Sequence, residues 1–177
     1  MSLRHLRLFA LIQLAAANDL LKAIEGNNPS QMNMALKSTH PKLLNEVGSN
    51  GMTPLMTAVT NGKHKVVKPL LKAGADATIA NAEGYTVMHV AAEKGQYRVI
   101  QVLITHGLDP RDRHEDGLVP LHRAVAKGHT DTVKSLLNAE VPVDEPTSDG
   151  RTPMDLAPDL ATKEVLGKFS RATKAEL

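Results

Sequence analysis

The sequence predicts an all-α solenoid of four to five helix-turn-helix repeats joined by hairpin loops, and three observations predict it. Glycines recur at a fixed interval: Gly51, Gly84, Gly117 and Gly150 stand 33 residues apart, and Gly62, Gly95 and Gly128 keep the same spacing. Related tetrapeptides follow the first series, namely Thr53-Pro54-Leu55-Met56, Thr86-Val87-Met88-His89, Val119-Pro120-Leu121-His122 and Thr152-Pro153-Met154-Asp155. An apolar stripe returns in the same register as Val66-Val67-Lys68-Pro69-Leu70-Leu71, Val99-Ile100-Gln101-Val102-Leu103-Ile104 and Thr132-Val133-Lys134-Ser135-Leu136-Leu137. A fixed period of this length marks stacked supersecondary units.

One copy shows why each element forms. Gly51 permits the positive φ of a tight turn. Thr53 can cap the helix that Pro54 begins, since proline fits a first helical turn. Leu55, Ala58 and Val59 then fall on one face, and Gly62 ends the helix. A second helix places Val66, Val67, Leu70 and Leu71 on its inner stripe until Gly74 closes it. Residues 75–83 form an extended, polar excursion to the next turn. Neither helix buries its face alone, so adjacent copies must stack. Three departures are expected to matter. Pro69 should remove a hydrogen bond and bend its helix. Val87 and Val119 replace the usual Pro and Thr, so two repeat starts are less well fixed. Pro158 should distort the first helix of the last copy.

The motifs Gly-x-Thr-Pro-Leu, Val-Val-x-x-Leu-Leu and Gly-Ala-Asp resemble those of the ankyrin repeat. On that resemblance the full copies cover residues 48–80, 81–113 and 114–146, with a C-terminal cap at 147–177 and a degenerate first repeat at 18–47. In that first repeat Leu21-Lys22-Ala23-Ile24 and Met34-Ala35-Leu36 mark the two helices, and 26–29 the stretched turn between them. The resemblance implies that His89 and His122 hydrogen-bond the backbone of neighbouring loops, and His129 stands where the family favours histidine.

Composition agrees with a binding module. In 177 residues, 42% are hydrophobic and 2% aromatic, so the core must be built from Leu, Val, Ile, Met and Ala. A formal charge of +2 and the lack of any Lys/Arg run argue against a nucleic-acid partner. With no cysteine, disulfides, thiol catalysis and Cys-based zinc sites are excluded. No His-Glu-x-x-His, Gly-x-Ser-x-Gly or phosphate-cradling loop occurs. The carboxylate-rich run 109–116 lacks the glycine and terminal glutamate of a calcium loop and reads as a solvated hairpin tip. No enzyme activity, cofactor, metal or membrane span is expected, and the unbound chain is expected to be a monomer.

The resemblance implies that a partner protein meets the hairpin tips and the exposed side of the first helices. The tip residues are Ser49, Asn50, Met52, Ala80, Ala82, Glu83, Tyr85, Arg113, Glu115, Asp116, Leu118, Ser148, Asp149 and Arg151. Thr60, Asn61, Glu93, Lys94, Ala126 and Lys127 are the helix positions of the same groove. Met52, Tyr85 and Leu118 are apolar at turns that the fold does not require to be apolar. Tyr85 is the expected hot spot, as an exposed aromatic among charged neighbours.

Residues 1–17 leave two readings open. Two arginines, the apolar run Leu8–Leu14 broken only by Gln13, and Ala15-Ala16-Ala17 have the three parts of a secretory signal peptide. The same stretch reads as a capping helix over the first repeat. With cleavage, the chain is periplasmic or secreted. Its size and layout are then similar to those of periplasmic ankyrin proteins that protect predatory bacteria from their own peptidoglycan endopeptidases. That likeness implies an inhibitor whose partner is a cell-wall hydrolase. Without cleavage the chain is a cytoplasmic adaptor or regulator that docks a signalling or transcription partner.

Overall fold

The computed structural model describes residues 3–48 and 51–175; the tip residues Ser49 and Asn50 lie outside them. Every regular element among the described residues is helical. The chain divides into two compact units, residues 1–82 and 83–177, each described by itself.

In the first unit α1 (Leu3–Gly26) and α2 (Pro29–Ser38) form one helix pair, and α3 (Pro54–Thr60) and α4 (His64–Lys72) the next. α1 packs on α2 and α3, and α2 on α4, so first helices and second helices form separate layers. The turn between α1 and α2 shrinks to Asn27 and Asn28. Asn27 takes φ 47°, and the Asn28 side chain accepts from the Ser30 N–H at 2.9 Å, capping α2 ahead of Pro29. Leu20, Ala23, Ile24, Met32, Leu55, Ala58 and Val59 fill the interior. Thr53 Oγ1 accepts from the Met56 N–H at 3.2 Å, as its place before Pro54 predicts.

Pro69 does not break its helix, since α4 runs on through it. The ring removes the N–H that would bond four residues back, at a cost near 3 kcal/mol. Val66, Val67, Leu70 and Leu71 around it are all buried. Four such side chains supply at least about 6 kcal/mol, so packing outweighs the missing bond.

In the second unit α5 (Val87–Glu93), α7 (Pro120–Ala126) and α9 (Pro153–Leu156) form the layer of first helices. Behind them lie α6 (Tyr97–Thr105), α8 (Thr130–Leu137) and α10 (Leu160–Ala175). The core is aliphatic, with Met88, Ile100, Leu103, Leu121, Leu136 and Leu166 fully buried. α9 is one turn long and stops at Ala157, whose extended backbone is what the residue before Pro158 is expected to adopt. Val119 has no side-chain oxygen to offer α7. His122 compensates: its Nδ1 accepts from the Val119 N–H at 3.1 Å, closing the helix start from the other side.

Candidate partner-binding surface

The imidazoles explained by the repeat serve the scaffold. His89 Nε2 donates to Leu118 O at 3.3 Å and His129 Nε2 to Glu93 O at 2.9 Å, each tying one copy to its neighbour, and His122 Nε2 donates to Glu145 O at 2.7 Å near the end of its own copy. Desolvation pushes His89 and His122 below the ordinary imidazole value and outweighs the carboxylates and carbonyls that favour the charged form. Burial thus favours the neutral form of both.

Tyr85 is half-buried rather than exposed. The Arg123 guanidinium carbon lies 3.6 Å from its ring centroid, and the His114 ring centroid lies 4.0 Å away. Two groups that close cannot share one face of a ring, so the phenol is sandwiched between them. Its hydroxyl donates to Asp116 Oδ2 at 3.3 Å. Arg123 in turn pairs with Glu93 Oε2 at 2.9 Å and Asp116 Oδ2 at 3.2 Å, its side chain only 13% exposed. His114 Nε2 meets Glu83 O at 2.9 Å, and its Nδ1 lies 2.9 Å from Asp116 Oδ1. Desolvation alone would raise Asp116, but the Leu118 N–H, His114 and Arg123 outweigh it and hold the carboxyl below its usual range. The aromatic, two carboxylates and a guanidinium are thus locked into one lattice.

The other predicted tips of this unit behave in two ways. Arg113 donates to Gly117 O at 2.7 Å and Pro146 O at 3.3 Å and pairs with Glu145, so its charge staples two successive tips. Arg151 pairs with Asp149 at 2.8 Å, and the Thr147 hydroxyl and that guanidinium hold the Asp149 carboxyl low. Leu118 is half-buried. Glu83 is exposed. Lys94, Glu115 and Lys127 are exposed and make no ion pair among the described residues. In the first unit Met52 is half-buried, with its Sδ 3.8 Å from the half-buried Thr60 hydroxyl, while Asn61 and Ala82 are exposed.

Sequence reasoning missed Arg123, His114 and Glu145. Arg123 was the findable one: it directly follows the motif histidine, where the other copies carry Thr57 and Val90, so the repeat does not need a charge there. The run 109–116 is not wholly a solvated tip, because the His114 side chain, 8% exposed, is packed against Tyr85. Among the described residues no group of three His, Asp or Glu side chains is placed to hold a metal, and no helix is long and apolar enough to cross a membrane.

The family model described as Ankyrin repeats (3 copies) matches residues 12–114, and the one described as Ankyrin repeats (many copies) matches residues 103–157. No curated protein matches the chain.

Proposed function

Because the chain belongs to the ankyrin-repeat family, whose repeats are protein–protein interaction modules, we propose that it acts by binding and sequestering another protein. The observation that carries this reading is the Tyr85–Arg123–Asp116–Glu93 lattice. It presents an aromatic, a cation and two carboxylates already fixed in place, and a preformed surface loses little entropy when a partner docks. Aromatic and arginine side chains are also the commonest carriers of binding energy at interfaces. Lys94, Glu115 and Lys127, exposed beside that lattice, supply charge that a partner can pair.

The more specific form of the reading is a periplasmic self-protection inhibitor that covers a cell-wall hydrolase, such as a peptidoglycan endopeptidase. Its support is the make-up of residues 1–17, which have the basic start, apolar run and Ala-x-Ala end of an export signal. One observation favours the second reading, a cytoplasmic adaptor. α1 passes without a break through Ala17 and Asn18, and Ala16 is 5% exposed, which supports reading the stretch as a cap on the first repeat.

The test is capture of partners by the full chain in its native cells, with the intact mass of the recovered protein measured alongside. A wall hydrolase that co-purifies, is inhibited by the chain and escapes Tyr85→Ala supports the inhibitor, with a mature start at Asn18. A start at Met1 or Ser2 and a signalling or transcription partner would replace it with the adaptor. Failure to retain any protein would sink both.

A further inference from the structure

Among the described residues seven large apolar side chains stay well exposed, and two of them, Leu21 (45%) and Val47 (51%), line one groove of the first unit. A single exposed leucine or valine is ordinary. Here the two line the same concavity, next to the buried Leu20. Leu20 of α1, Met52 just ahead of α3 and Pro54 at its start also line it. The cavity holds about 400 Å³, at the lower end of the range for ligand pockets and suited to one or two apolar side chains rather than a cofactor. Ala17 at the end of the 1–17 stretch also lines it.

One charge lies on it. Glu46 is exposed, contributes to the lining and makes no ion pair among the described residues. A segment laid over the groove covers that carboxylate. Leaving a covered charge unpaired is costly, so the occupant must bring a cation with its apolar anchor or be rejected. We propose that this groove binds an extended segment of a partner protein that carries an apolar side chain beside a Lys or Arg, the side chain filling the space between Leu21, Val47 and Met52 and the cation pairing with Glu46. The inference rests on the protein-binding reading and adds a second contact to it, on residues that the sequence did not single out apart from Met52.

The experiment is selection of displayed random peptides on the immobilised full chain, followed by fluorescence anisotropy with the synthesised consensus peptide. The expected consensus places Leu, Ile, Met or Phe next to Lys or Arg. Leu21→Glu weakens that peptide by roughly tenfold or more. Glu46→Lys does the same, and it improves binding of the counterpart peptide with Glu in place of the basic residue. Lys22→Glu, exposed on the same helix, leaves binding unchanged, and circular dichroism confirms that all three variants fold. Peptides with no charge preference, equal binding to Leu21→Glu, or no enrichment at all would overturn the proposal. So would a concentration-dependent dimer that Leu21→Glu dissolves, since the occupant would then be a second copy. Peptides lost on Tyr85→Ala but kept on Leu21→Glu would overturn the groove and leave the protein-binding reading standing.

Discussion

Removing either half of the Tyr85–Arg123 contact perturbs a lattice whose parts can be weighed separately. The guanidinium carbon is 3.6 Å from the ring centroid, and its side chain is 13% exposed. Partial desolvation places this cation–π contact near 1 kcal/mol, between the exposed and buried limits. The ion pairs to Glu93 and Asp116 involve carboxylates that are 35% and 36% exposed, so each contributes about 0.5 kcal/mol. Arg123→Met, which keeps the aliphatic stem, is therefore expected to cost about 2 kcal/mol. Tyr85→Leu keeps apolar bulk and loses the ring contacts with Arg123 and His114, at about 1.5 kcal/mol. Urea unfolding of the two single variants and the double variant gives the coupling directly, and about 1 kcal/mol is expected. Repeating the cycle at high salt separates the terms, since the exposed ion pairs fade and the cation–π contact persists. A coupling below about 0.3 kcal/mol, within the scatter of independent sites, would refute the claim that this lattice is held together energetically.

Three further outcomes follow from other features. Thr53→Ala removes the oxygen that accepts from the Met56 N–H and should cost about 1 kcal/mol in the same unfolding assay; an unchanged midpoint would mean that the cap is idle. Glu140 takes φ 62° where the preceding copies have Gly74 and Gly107, so Glu140→Gly should raise stability by about 0.5–1 kcal/mol despite the looser unfolded chain, and a lower midpoint would contradict the strain argument. Burial holds His89 and His122 below their ordinary value, so the unfolded chain binds more protons as pH falls. Their stabilisation is complete above the unfolded value near 6.5 and declines below it, before the carboxylates titrate. The melting temperature should therefore drop between about pH 7 and 5, the drop should shrink in His89→Gln with His122→Gln, and a flat profile in the parent chain would refute it.

How much of this was legible in the sequence depends on whether a residue acts within its own copy. Gly51, Thr53, Leu55 and Leu70 do their work locally, so spacing alone revealed the helices, the cap and the core stripe. Pro158 likewise acts on the residue before it, and α9 stops there as expected. Pro69 acts locally too, but the burial of four neighbours decided its outcome, and burial belongs to the stack. Tyr85 is the harder case. The sequence marked it as a residue the repeat does not need, and from that its exposure was inferred. Its surroundings come instead from His114 and Arg123, in the next copy along. Nothing in a period of glycines tells which unneeded residue of one copy meets which of the next. The groove was hidden for a similar reason: Leu21 was read as part of a degenerate helix and Val47 not at all.

The imidazole bonds of residues 83–177 also have a mechanical meaning. His114 to Glu83, His89 to Leu118, His122 to Glu145 and His129 to Glu93 each join groups 23 to 36 residues apart in the chain. Three of them, from His114, His89 and His129, cross the same boundary between copies 81–113 and 114–146, so under tension they act as latches in parallel. Because a copy leans on its neighbours alone, all three must open before one 33-residue length, roughly 110 Å of extended chain, is released at that boundary. Such a boundary shares a pulling load among three bonds, so it gives way as one event rather than one latch at a time.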